Sequence, residues 1–156
     1  MTSFLIATAD GLHALATIVF VGYYLLLSLL YLPVLAKPEI GGGAALGEVS
    51  KRSRPWLYTA LVIFAITGIY LTVVDANYAG IGHFSNPWAI LMLVKHILIL
   101  AMIAIGFWFN FIRRVGPALR SYPGDASRMA RFRRYCNAMT MCSVLVLLLT
   151  AFAQIE

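Results

Sequence analysis

Between Trp56 and Val74 no side chain carries a charge, and three other stretches, Leu12–Leu35, the run after Asn86 and Tyr135–Ile155, are almost as bare. A helix needs about 20 consecutive apolar residues to cross the hydrocarbon core of a bilayer, and any backbone in that core must satisfy its own hydrogen bonds. Four such runs in 156 residues leave little room for anything else. Charged residues make up 12% of the chain, about half of what a soluble domain carries, which excludes an ordinary globular protein. The sequence therefore predicts a single all-α domain over residues 1–156, an integral membrane antiparallel four-helix bundle with spans near 8–35, 55–75, 87–112 and 135–155.

The segments between the runs say how the chain threads. Leu32-Pro33 is placed to close the first span, because proline is tolerated near a helix end. Lys37–Arg54 is glycine-rich and ends in Lys51, Arg52 and Arg54, and Pro55 is placed to open the second helix. Trp56 and Tyr58 at its start, with Tyr70 and Tyr78 near its end, have the spacing of interfacial aromatic belts. Asn86-Pro87 reads as the cap and first residue of the third helix. Between Arg113 and Arg134 lie seven arginines and one aspartate, interrupted by Pro117, Pro123 and Gly124.

The loop Asp75–Asn86 has neither Lys nor Arg. Because basic loops stay on the cytoplasmic side, both termini are expected outside, in the periplasm of a bacterial inner (cytoplasmic) membrane. The same placement accounts for the formal charge of +6: the expected partner is membrane lipid and not nucleic acid. The N-terminus has no Lys or Arg before its apolar run and carries Asp10, so it lacks the basic region of a cleavable signal peptide. Cys136 and Cys142 are six apart, point to different sides of a helix, and read as packing residues.

Lys95 and His96 sit side by side in the third run, where even the mildest insertion scales charge a central lysine about 2.5–3.5 kcal/mol. Such a pair marks a functional site by default. His96 falls about 15 Å from the outer end of its helix, and His13 about 7–15 Å from the same surface, at 1.5 Å per residue. Two imidazoles at overlapping depths on different helices are what bis-His ligation of a b-type haem requires. His13 shares its stripe with Thr17, Phe20 and Tyr24, and His96 with Met92, Leu100, Ile103 and Phe107, so Tyr24 and Phe107 join the expected haem pocket. Gly22, Gly68 and Gly106 either make room for a flat ring or allow close helix contact. Lys95, about 100° round the helix from His96, is then placed for a haem propionate. Plainer readings stand beside these: His13 bonded to a carbonyl or Asp10, Lys95 snorkelling along its stem, His83 a loop surface residue, Asn137 a cross-helix hydrogen bond. Met92, Met102, Met139 and Met141 read as core filler.

Several of these residues also form a pattern. Trp88 is followed seven residues on by Lys95, then by Asn110, Arg113 and the turn Gly116-Pro117-Ala118-Leu119. The first span carries His13, Gly22 and Leu32-Pro33, and the second has Arg54 before it and Thr67-Gly68 inside it. Together they resemble, over nearly the whole chain, the membrane domain of the copper-resistance CopD-like superfamily, which includes the HemJ-type protoporphyrinogen oxidases. The HemJ resemblance implies a b-type haem, a functional His on the first helix and a Lys on the third, here His13 and Lys95, and with them an oxidoreductase. The CopD resemblance implies copper uptake across the inner membrane.

The expected function is therefore haem b held between the first and third helices near the outer face, with His13 and His96 as axial ligands and Lys95 beside them. Its role would be electron transfer or redox sensing with quinone or a membrane redox partner. The alternative is copper handling, with His13, His83, Met92 and His96 as ligands. A third reading is a non-catalytic subunit of a larger complex, and a homo-oligomer is equally compatible with the sequence.

Overall fold

The computed structural model describes residues 2–37, 40, 42–76, 78, 80, 87–109 and 125–153. The regular structure among them is helical. α1 (Thr2–Leu26) runs into a π-helical turn (Leu27–Tyr31) and a last α turn, α2 (Leu32–Leu35); α3 (Gly43–Val74), α4 (Pro87–Phe107) and α5 (Ala126–Ala153) follow. Ser3–Leu35, α3, α4 and α5 are each long and apolar enough to cross a membrane. Their outward faces suit lipid: Ile18, Ile66 and Leu100 are each more than 60% exposed, a display of large aliphatic side chains that water would drive into aggregation.

α1 packs on α3 and on α5, and α5 packs on α4, giving the spatial order α3, α1, α5, α4. α3 and α4 follow one another in the chain yet approach only sparsely. The core gathers Tyr24, Leu27, Leu46, Met102, Phe132, Cys136 and Met139 from all four long helices and the π turn. Polar bonds tie α1 and the π turn to α5. The Tyr24 and Tyr135 hydroxyls lie 2.8 Å apart, Thr140 Oγ1 donates to the Tyr24 carbonyl at 2.9 Å, and Ser28 Oγ donates to Asn137 Oδ1 at 2.7 Å. Asn137 thus bonds across helices as expected, and interhelical bonds of this kind are worth about 0.6 kcal/mol each on average in membrane proteins.

Two helix boundaries differ from expectation, each for a physical reason. Pro33 does not itself stop the helix, which runs on to the expected end of the first span at Leu35. It has no N–H for the Leu29 carbonyl four residues back, and its ring would collide there in plain α geometry. The turn before it widens, with the Leu32 N–H bonded to the Leu27 carbonyl, and the helix continues to Leu35. Pro55 does not open the second helix either: α3 already begins at Gly43 and Pro55 lies inside it. Gly43 and Gly47 are buried there, and Leu46 has no exposed surface. Gly47, inside the helix, costs about 1 kcal/mol, whereas burying Leu46 returns roughly 1.5–3, so packing outweighs propensity. The turn into α3 needs Gly42, because a Cβ there would run into the Leu35 carbonyl.

The second difference is that α5 begins at Ala126 and not near Tyr135. Asp125 caps it: Oδ1 accepts from the Ser127 hydroxyl at 2.7 Å and from the Ser127 and Arg128 N–H groups at 3.0 and 3.2 Å, while Oδ2 meets Arg128 Nε at 2.7 Å. The Ser127 hydroxyl, then the Arg128 N–H, hold this carboxyl below its ordinary range. The arginine-rich stretch is thereby an amphipathic extension of the span, with Phe132 buried and Arg131, Arg133 and Arg134 exposed. Pro87 opens α4 as expected. The Asn86 cap, His83, Arg113, Arg114 and the rest of 110–124 lie outside the described residues.

Candidate functional site

α3 carries Arg54 about a third of the way along it and Asp75 just past its far end, about 30 Å apart at 1.5 Å per residue. At the Asp75 end a cleft of about 450 Å³ opens, within the roughly 300–1,000 Å³ range of small-ligand sites. All four long helices reach it: α1 with Asp10 and His13, α3 with Gly68 and Thr72, α4 with Met92 and Lys95, and α5 with Thr150 and Ala153.

His13 is the most constrained residue in the cleft. Its ring lies on Phe64, with centroids 4.4 Å apart and planes 25° from parallel. A Cβ at position 68 would come within 3.2 Å of His13 Cε1, so Gly68 seats the ring. His13 Nδ1 lies 2.9 Å from Thr67 Oγ1, and that oxygen is 2.6 Å from the Ile63 carbonyl. A carbonyl can only accept, so the single hydroxyl proton goes to Ile63. Toward His13 the hydroxyl accepts, which puts the imidazole proton on Nδ1 and leaves the Nε2 lone pair free. An imidazole fixed through one nitrogen and open at the other is the arrangement of metal-bound histidines.

On α4 the stripe Trp88, Met92, Lys95, Ile99, Met102 recurs at helical spacing and faces the other helices. Trp88 and Met102 are buried at 5% exposure, Ile99 packs against the core, and Met92 and Lys95 line the cleft. Lys95 makes no ion pair among the described residues. His96, one position on, is turned about 100° from Lys95. Its Nδ1 donates to the Met92 carbonyl at 2.6 Å, and it is not among the residues of the cleft. The structure therefore brings His13 and Lys95 together and does not bring His13 and His96 to one site. Packing of Trp88 and Met102 sets this rotation, whereas α4 is so uniformly apolar that its pattern favours no face.

Tyr24 and Phe107 lie elsewhere. They line a second, smaller cavity of about 130 Å³ toward the Arg54 end, with Tyr135 and Gly106. Of the three span glycines, Gly68 seats His13, Gly106 faces the Tyr135 hydroxyl at ordinary contact distance, and Gly22 faces open space. Met102 and Met139 are core, while Met141 is 68% exposed and Met92 belongs to the cleft. Cys136 is fully buried. Among the described residues no three His, Cys, Asp or Glu come together as a metal-ligand set. The reading of residues one by one missed Thr67 and Phe64 as partners of His13; a Thr-Gly pair inside an apolar span was the available signal.

Compared with known protein families, residues 47–153 match the family described as copper resistance protein D. No curated protein and no solved structure matches the chain. The matched segment starts within α3 and ends with α5, so Thr67, Gly68, Met92 and Lys95 lie inside it and His13 precedes it.

Proposed function

The chain belongs to the copper resistance protein D family, and from that premise we propose that it handles copper as cargo in the inner membrane, taking Cu(I) into the cleft between His13, Met92 and Lys95. The observation that carries this reading is the pair of contacts at Thr67 Oγ1, 2.6 Å from the Ile63 carbonyl and 2.9 Å from His13 Nδ1. They assign the imidazole proton to Nδ1 and leave the Nε2 lone pair free on a ring that lines the same cleft as the Met92 thioether. Imidazole and thioether are ligands that suit Cu(I). Two neutral ligands without a thiolate hold an ion loosely, as transfer requires. The Lys95 ammonium in the same cleft acts in the same direction, by repelling the ion. With the arginine-rich ends of α3 and α5 toward the cytoplasm, the cleft opens to the outside. The bis-His haem b of the first expectation needs a second imidazole facing His13, and His96 does not line that cleft.

Purified in detergent, the protein should take up one Cu(I) per chain in competition with a chromophoric chelator. His13→Ala should abolish that uptake, and Met92→Leu should weaken it roughly tenfold, about 1.4 kcal/mol. Undiminished binding by His13→Ala would remove the cleft from consideration. A Soret band from haem-replete cells, lost in His13→Ala, would return the reading to haem.

A further inference from the structure

The cavity at the Arg54 end is chemically unlike the copper cleft and independent of it. Arg54 lines it, and its Nε is buried with no hydrogen-bond partner among the described residues. Ser50, buried at 8% exposure, sits one helical turn before Arg54 and also lines the cavity. The Tyr24 and Tyr135 hydroxyls, bonded to each other at 2.8 Å, complete a polar corner made of a cation and hydroxyl groups. No carboxylate is present to answer them among the lining residues. The rest of the wall is apolar, from Phe20, Leu61, Met102 and Met139.

The mouth is the second observation. Tyr58 on α3 and Phe107 on α4 line the cavity yet are 43% and 57% exposed. They stand on the two helices that approach only sparsely, so the cavity opens sideways toward lipid. At about 130 Å³ it is smaller than a typical whole-ligand site. It therefore accepts a headgroup and the first carbons of a chain and leaves the remaining tail in the bilayer.

We infer that this cavity binds the anionic head of a membrane amphiphile, a carboxylate or a phosphate, with Arg54 Nε donating to it and Ser50 beside it. A guanidinium is the side chain best shaped for either oxyanion, and its attraction is strengthened in surroundings of low dielectric.

Native mass spectrometry of the full-length detergent-solubilised protein tests this by titration with oleate, phosphatidylglycerol, phosphatidylcholine and inorganic phosphate separately. The expected result is one saturable adduct with oleate, phosphatidylglycerol or both; these two arms tell a carboxylate head from a phosphate head. Arg54→Gln should raise the half-saturating concentration roughly tenfold or more, as loss of a charge-assisted hydrogen bond does. Gly106→Leu, which fills the cavity and keeps Arg54, should do the same, and it decides the matter if Arg54→Gln fails to elute as a folded protein. The proposal is overturned by any of three results: no saturable adduct, binding unchanged in the folded variants, or equal saturation by phosphatidylcholine or inorganic phosphate.

Discussion

The Thr67 hydroxyl has two close neighbours, the Ile63 carbonyl and His13 Nδ1, and one proton to give. The chemistry of the cleft follows from where that proton goes, and the ring geometry follows from Gly68. Gly68→Ala places a methyl 3.2 Å from His13 Cε1, so the ring must shift by a few tenths of an ångström. The expected outcome is a folded protein whose Cu(I) affinity falls by about three- to tenfold, as a strained hydrogen bond of about 1 kcal/mol implies; an unchanged chelator competition would show that the seat is slack. Lys95→Leu, which removes the charge without adding a ligand, should move affinity the other way, tightening Cu(I) by roughly tenfold and slowing its release, since about 1–2 kcal/mol of like-charge repulsion disappears. Stopped-flow transfer to the chelator reads the release step. That Lys95 and His96 mark a site was legible from their placement in an apolar run. Which of the two faces the bundle was harder to read, because the apolar residues surround α4 on all sides and the discriminating signal was one stripe from Trp88 to Met102.

At the scale of the element, proline and glycine were the least legible residues. Pro55 was read as a helix start and the glycines before it as a loop, whereas Gly43, Gly47 and Pro55 lie within α3, where Leu46 is buried; Gly22, Gly68 and Gly106 were read inside spans and lie there. The same misreading hid the first turns of α5, whose cap at Asp125 follows a stretch containing Pro123 and Gly124. The π turn before Pro33 is the clearest case of an element shaped by one side chain. Pro33→Ala removes the ring that keeps the turn wide, and closing it to α geometry rotates the following residues by up to about 100° relative to the core. Leu32, 1% exposed, would leave its place. Removing this proline should therefore lower thermal stability, because Leu32 gives up its packing contacts in the core for contacts with lipid. A rise in melting temperature would show that the wide turn is incidental.

The molecule as a whole has one end rich in arginine and another that holds the cleft of His13 and Lys95, and the four spans that separate them were plain in the sequence. Their neighbour relations were not, since apolar faces carry no label for the helix they meet. Sidedness can be measured directly. In a chain with Cys136→Ser and Cys142→Ser, a cysteine introduced as Ala76→Cys should react with a membrane-impermeant maleimide on intact cells, and Arg52→Cys only after permeabilisation. The reverse pattern would turn the copper cleft inward.

α1 and α5 make a spine, joined by the Tyr24–Tyr135 and Thr140–Tyr24 bonds, with α3 laid against one side and α4 against the other. The free edges of those two outer helices face each other across both hollows. Viewed down the membrane normal, this is a book standing slightly open, and its footprint is set by how far the covers part. A bilayer exerts lateral pressure on every protein within it, and here that pressure meets resistance at the spine and little along the open edge. Among the described residues the seam between α3 and α4 is sparsely packed, so a change in lateral pressure would act first on the width of the two hollows.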